Sequence, residues 1–160
     1  KTTLVNAIIN EMVICDPMER VFIIEDTGEI QCAAENFVQY HTSLEVPMTA
    51  LLKATLRMRP DRILVGEVRG AEALDLLDAW NTGHEGGAAT LHANNAAAGL
   101  ARLRSLITRN ESAPAEIEPL IGEVVHVVVH IARTPEGGRR IQEILEVSGY
   151  VDGRYITKTL

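Results

Sequence analysis

Apolar positions along this chain switch between two periods, and the switches divide it into short alternating elements. Residues 3 to 13 place Leu4, Ala7, Ile8 and Met12 at helical spacing until Asp16-Pro17 breaks the pattern. Val21-Phe22-Ile23-Ile24 is then a continuous apolar run of the kind that forms a strand buried on both faces, and it ends in Glu25-Asp26. Residues 47 to 58 open with a proline suited to a first helical turn and carry Leu51, Leu52, Ala54 and Leu56 before Pro60 stops the helix, with Arg57 and Arg59 crowding its C-terminus. Ile63-Leu64-Val65 predicts a second buried strand ending in Gly66-Glu67, and residues 70 to 82 predict a helix that runs into Gly83. Ala88-Ala89-Thr90-Leu91 reads as a third strand ending in His92, followed by a helix from Ala96 to Arg109. A helix from Pro114 to Val125 comes next, then a strand from Val127 to Ala132, a turn at Gly137-Gly138, and a strand from Arg140 to Val147 that returns as an antiparallel hairpin. Val151 to Lys158 adds a third strand there after the Asp152-Gly153 turn.

Strands alternating with helices predict an α/β fold with a mainly parallel sheet flanked by helices, and such sheets bind ligands outside the carboxyl ends of their strands. Glu25, Glu67 and His92 each fall at such an end. With 160 residues, 46% hydrophobic and 23% charged, the chain has the size of one ordinary domain, and no linker, repeat or low-complexity segment marks a boundary within residues 1–160. A formal charge of -7 and a pI near 5.2 argue against nucleic acid as a direct ligand, because domains that wrap it carry a basic face. Cys15 and Cys32 lack the C-x-x-C pairing that holds zinc or runs redox chemistry, so both read as buried small hydrophobes in a reducing cytosol. No apolar run approaches the roughly 18 to 20 residues of a membrane-spanning helix, so any membrane contact is expected to be peripheral.

Lys1-Thr2-Thr3 opens the first helix, where free N–H groups and the dipole favour anions. It matches the end of the phosphate-loop pattern G-x-x-x-x-G-K-[ST], in which Lys reaches the phosphates and the hydroxyl ligates Mg²⁺. On this reading the glycines and the strand that feeds them precede Lys1, and residues 1–160 by themselves are expected to be inactive. Phosphoryl transfer to water needs a cation for the phosphates, a metal with oxygen ligands and a carboxylate to orient the water. Lys1 supplies the first, and Thr2 the metal hydroxyl, with Thr3 at the helix start near the α-phosphate. Glu67 completes the metal shell, partly through water; it follows Gly66, where many P-loop enzymes carry an aspartate. Arg57, Arg59, Arg62 and Arg69 supply more guanidinium than the fold requires, and one could stabilise phosphoryl charge from a neighbouring subunit, although each taken singly also reads as a surface ion-pair residue. His126 and His130 lie in a valine-rich strand with no clustered acid or Cys, and no metal site is expected there.

Four blocks together resemble the secretion-ATPase superfamily, the ring motors of type II and type IV secretion, pilus extension and retraction, and conjugation. They are Lys1-Thr2-Thr3, then Ile23-Ile24-Glu25-Asp26-Thr27-Gly28-Glu29-Ile30, then Arg59-Pro60-Asp61-Arg62-Ile63-Leu64-Val65-Gly66-Glu67-Val68-Arg69, and Thr82-Gly83-His84-Glu85-Gly86 through Thr90-Leu91-His92-Ala93. They look like that family's truncated Walker A, Asp box, Walker B and His box. The absence of paired C-x-x-C motifs argues against the type II assembly branch, and the Asp-box form resembles the conjugation and type IV secretion branch, with retraction motors as the nearer rival. The resemblance implies a RecA-like P-loop core, here a C-terminal ATPase domain over residues 1–160, using ATP and Mg²⁺. It implies Glu25 as general base with Glu67 as competitor, Asp26 and Glu29 in support, and His92 contacting the γ-phosphate or relaying its loss, with His84 a second candidate from the same box. It further implies Arg57, Arg59 and Arg69 as nucleotide-binding candidates, a hexameric homo-oligomer, and a peripheral place at the cytoplasmic face of the inner membrane beside secretion machinery. A non-hydrolysing structural ring subunit is the reading from another class.

Overall fold

The computed structural model describes residues 1–135 and 137–160, and these form two compact units, Lys1–Thr90 and Leu91–Leu160. In the first, helix α1 (Thr2–Cys15) precedes strands β1 (Val21–Glu25) and β2 (Phe37–His41), helix α2 (Met48–Thr55) with a 3-10 turn at Leu56–Met58, strand β3 (Arg62–Val65), helix α3 (Glu72–Trp80) and strand β4 (Ala88–Ala89). The four strands form one sheet in the order β2-β1-β3-β4, parallel throughout.

β1 is buried at all five positions, as its unbroken Val-Phe-Ile-Ile run requires of a strand covered on both faces. Val21 and Ile23 pack with Leu64 of β3 and with Val5 and Ile9 of α1. Residues of the opposite parity, Phe22, Ile24 and Ile63, are fully buried as well, and α2 packs against β1 and α3. The buried stripe of α1 is Val5 and Ile9, flanked by Met12 and Val13, and thus lies one position from the predicted Leu4-Ala7-Ile8 face. Residues 4 to 14 are apolar on nearly every side, so periodicity permits two stripes and the sheet selects one.

Several other boundaries move for local reasons. α3 starts at Glu72 instead of residue 70 because the Glu72 carboxylate folds back to accept the backbone N–H groups of Arg69 (2.7 Å) and Gly70 (2.8 Å). β4 is limited to Ala88–Ala89 and does not run to Leu91: the Thr90 carbonyl leaves the ladder to accept the N–H of Val68 at 2.8 Å. β2 was not predicted at all. It is an edge strand, exposed at both ends and half-buried between, and the polar Gln39 at its centre interrupts the apolar pattern of Phe37, Val38 and Tyr40. Cys32 is half-buried beside the α1 core, but Cys15 is exposed at the end of α1, contrary to its expected burial.

The second unit holds helices α4 (Ala96–Ile107) and α5 (Ile117–Val124) with strands β5 (Val127–Arg133), β6 (Arg139–Val151) and β7 (Arg154–Thr159). Asn95 caps α4 through its side-chain oxygen, which accepts the Ala98 N–H at 2.7 Å, and Glu143 of β6 accepts the Ala96 N–H at 2.9 Å. The predicted hairpin and third strand are present as an antiparallel sheet in the order β5-β6-β7. β6 is longer than predicted, and register shifts at His130/Ile131 and Val147/Gly149 keep its pairing over that length.

Gly87 enters β4 where no side chain fits. A Cβ there would stand 2.1 Å from Trp80 Nε1 and 2.3 Å from the Ile63 carbonyl oxygen, the two atoms that hydrogen-bond to each other at 3.0 Å. Gly87→Ala is therefore expected to expel the indole, break that bond and destabilise the fold by about 2–4 kcal/mol. A red-shifted emission from Trp80 and a lower denaturation midpoint are the expected readouts, and an unchanged midpoint would refute this packing.

Candidate functional site

β1 and β3 end side by side, and the residues that follow them meet the start of α1 around a cleft of about 190 Å³. Lys1 and Thr2 reach it from the N-terminus of α1, Glu25 and the loop 26–30 from β1, Gly66, Glu67 and Arg69 from β3, and Thr90 from the end of β4.

Glu25 anchors this arrangement. It is 3% exposed, and its Oε2 accepts the backbone N–H groups of Glu29 (3.0 Å) and Ile30 (3.1 Å). Its Oε1 accepts the side-chain amide of Gln39, with His41 Nε2 at 3.7 Å. The loop is thereby folded over the carboxylate, and Ile30 inserts into the core beneath α1. Two side-chain bonds then tie the loop to α1 one helical turn apart: the Thr2 hydroxyl donates to Glu29 Oε2 at 2.9 Å, and Asn6 Oδ1 accepts the Gln31 N–H at 3.1 Å.

Gly66 is explained by the same carboxylate. A Cβ at this position would lie 2.8 Å from the Glu25 Cβ, so the aspartate that many P-loop enzymes carry there cannot coexist with Glu25 in this position. The Thr90 hydroxyl donates to the Gly66 carbonyl at 2.6 Å and steadies the turn.

Charges alternate across the cleft. Glu67 faces Lys1 Nζ at 3.8 Å and accepts from Arg69 Nη2 at 2.7 Å, while Arg69 Nη1 donates to Asp26 at 3.1 Å. Burial pushes the Lys1 ammonium below its usual pKa, with Glu67 opposing and Arg69 adding to the shift. The Arg69 guanidinium is raised, first by its bond to Glu67. A half-buried ammonium beside an arginine favours an added anion. The donor set of ammonium, hydroxyl and carboxylates is the one that a magnesium nucleotide needs.

Other predicted site residues stand elsewhere. Thr3 is exposed on α1, and Arg57 and Arg59 are exposed at the turn after α2, with Arg59 in the left-handed region (φ 54°); none of the three lines the cleft. Arg62 is a structural clamp, holding Glu19 through two nitrogens and donating to the Gly86 carbonyl at 3.0 Å. His84 Nδ1 is 3.1 Å from the Ala79 carbonyl at the end of α3. His92 belongs to the second unit, where it is exposed ahead of α4. Gln39 and Thr90 took no part in the sequence reading as site residues; a polar residue inside an otherwise apolar-aromatic segment was the only signal for Gln39.

The family model for type II/IV secretion system proteins matches residues 1–147. Among curated proteins, the chain is 53% identical over 155 residues to a probable conjugal transfer protein TrbB of Sinorhizobium fredii, covering 97% of this chain and 47% of that protein. It is 51% identical over 158 residues to the conjugal transfer protein TrbB of Rhizobium radiobacter, covering 99% of this chain and 48% of the relative. The chain thus spans about half the length of the curated relatives it matches. Among solved structures, the VirB11 ATPase of the Brucella suis type IV secretion system, in complex with sulphate, superposes with a TM-score of 0.80 at 33% identity over 89% of this chain and 44% of that one. The pilus retraction motor PilT with bound ADP superposes at 0.60 and 20% identity, covering 85% of this chain and 41% of that one, a likeness of fold alone. The parallel sheet with its flanking helices is the RecA-like α/β fold of these neighbours.

Gly66→Asp is expected to displace Glu25 and lower stability by about 1–3 kcal/mol, read as a reduced denaturation midpoint. A midpoint equal to that of the unsubstituted protein would show that the Glu25 side chain yields freely.

Proposed function

This chain belongs to the type II/IV secretion system protein family, and from that premise we propose that it forms part of an ATPase of conjugation or type IV secretion, hydrolysing ATP with Mg²⁺. The observation that carries the proposal is the single cleft in which the Lys1 ammonium, the Thr2 hydroxyl and the Glu29 and Glu67 carboxylates converge at the strand ends.

Lys1 would hold the phosphates. The Thr2 hydroxyl, whose proton is engaged by Glu29, keeps its lone pairs for a cation, and Glu67 would complete that cation's shell through water. When bound, magnesium neutralises charge that builds on the phosphoryl oxygens. Glu67 and Glu29 are the carboxylates with room to orient a water. Glu25, with three hydrogen bonds already on its oxygens, contributes by fixing the loop that carries Glu29, so its removal would also depress turnover. Arg69 bridges Asp26 and Glu67 and would release them to a phosphate. Thr3 keeps its proposed place near the α-phosphate, and Arg57 and Arg59, exposed at the turn, are candidates to act on a neighbouring subunit's nucleotide. His92 would report the γ-phosphate.

The whole protein would assemble as a hexameric ring at the cytoplasmic face of the inner membrane, beside the conjugation or secretion machinery. Among the described residues no helix is long and apolar enough to cross a membrane.

The test is phosphate release by the full-length protein. Lys1→Ala should abolish ATP binding, whereas Glu25→Gln, Glu29→Gln and Glu67→Gln should retain binding and lose roughly 10²- to 10⁴-fold in turnover. A full-length protein that binds no nucleotide would overturn the proposal. His92→Ala should leave ADP affinity nearly unchanged while weakening discrimination of a non-hydrolysable ATP analogue from ADP, measured in paired titrations; equal losses for both nucleotides would assign His92 a structural role.

A further inference from the structure

We infer that Gln39 is a positioning residue for this site: through Glu25 and the Ile30 carbonyl it sets the loop that holds Glu29 against Thr2. The inference rests on the ATPase reading and adds to it a residue of β2, outside all four sequence blocks that carried the resemblance.

Gln39 sits at the middle of β2, in register with Ile23 of the central strand. Its side-chain amide donates to two acceptors, Glu25 Oε1 and, at 3.0 Å, the carbonyl oxygen of Ile30. Glu25 in turn accepts the Ile30 N–H through its other oxygen. Ile30 is therefore held at both its backbone donor and its backbone acceptor by one connected network, and Glu29 is fixed immediately before it, its N–H also on Glu25. The chain of bonds runs from β2 through Glu25 to Glu29 and ends on the Thr2 hydroxyl. One bond of this amide crosses the sheet to the end of β1 at Glu25, and the other leaves the sheet for the Ile30 carbonyl, so the amide ties the strand end to the loop. In a part-buried network, removing one donor leaves the remaining groups unsatisfied, so the loop should loosen as a unit.

Ionisable groups adjoin the network from every side: Glu25 from β1, His41 from β2, Asp26 and Glu29 from the loop, Lys1 from α1, and Glu67 and Arg69 after β3. Gln39 is the neutral donor to Glu25 from β2, and this permits a test by an isosteric change of charge. Gln39→Glu keeps the shape but sets a second carboxyl against Glu25. When both are ionised they repel, and when one proton is shared the pair regains one of the two donated bonds, the one between residue 39 and Glu25.

The experiment compares the full-length wild type, Gln39→Leu and Gln39→Glu by kcat and KM for ATP at pH 8 and pH 6, and by hydrogen exchange at the Glu29 and Ile30 amides. For Gln39→Leu, kcat should fall by about tenfold or more with KM within about twofold. Protection at Glu29 and Ile30 should fall by about tenfold, with Ile23 and Leu64 unchanged. Gln39→Glu should match that loss at pH 8 and recover toward wild type at pH 6, each taken as a ratio to wild type at the same pH. Wild-type kcat and loop protection in Gln39→Leu would overturn the inference. Protection lost equally in β1 and β3, or a Gln39→Glu ratio indifferent to pH, would overturn it as well. A wild-type protein that hydrolyses no ATP overturns the ATPase reading instead, and the exchange measurements still decide whether Gln39 sets the loop.

Discussion

A carboxylate removed from water at the end of a central strand must have its oxygens satisfied by the protein, because an uncompensated buried charge costs several kcal/mol. Glu25 meets that demand with two backbone N–H groups, one side-chain amide and a nearby imidazole. Much of the site follows from it. The loop must fold back to deliver the N–H groups of Glu29 and Ile30, β2 must pair beside β1 to deliver Gln39, and residue 66 must lack a side chain. The loop so placed carries Glu29 to Thr2, which brings the helix start and the strand ends into one cleft.

The sheet supplies the rigidity. β1, β3 and the stripe Val5-Ile9 of α1 form a core whose members are almost wholly excluded from solvent, so Lys1 and Thr2 are set relative to Glu25 by packing as well as by hydrogen bonds. Function and fold are coupled at this point. The residues that line the cleft, Lys1, Thr2, Glu29, Glu67 and Arg69, are half-buried or exposed and paired with one another, whereas Glu25 and Ile30, which set their loop, are buried. Ion pairs among partly exposed side chains are weak and exchangeable, so the pairs that Glu67 makes with Lys1 and Arg69 can rearrange without disturbing the core.

How much of this was legible in the sequence depended on the kind of signal each element carries. β1 and β3 were plain, since continuous runs such as Val-Phe-Ile-Ile and Ile-Leu-Val between turn signals suit strands covered on both faces, and the acids at their ends marked where chemistry would gather. β2 was missed because the polar Gln39 interrupts Phe37-Val38 and Tyr40 and leaves no continuous apolar run, and Gln39 was missed with it. The stripe of α1 was ambiguous because that helix is apolar nearly all round. Glu67, Lys1 and Thr2 were identified by motif, and the structure draws them together; Arg62 and His84, equally prominent in the sequence, make contacts that hold the fold.

Period, polarity and the order of the blocks are local properties, and from them the sequence by itself determined an alternating α/β chain with its polar chemistry at the strand ends and the secretion-ATPase pattern. Which of the acids is buried and which faces the cleft is a property of the assembled sheet. Glu25 and Glu29 stand four residues apart in one loop-forming segment with the same functional group, and only the tertiary structure separates them. Residue 25 still belongs to the central strand, where covering by neighbouring elements removes water; residue 29 lies past the turn and is exposed. Burial is decided by what packs against a residue, and those partners, Gln39, Gly66 and the start of α1, are distant in sequence and meet only in the fold.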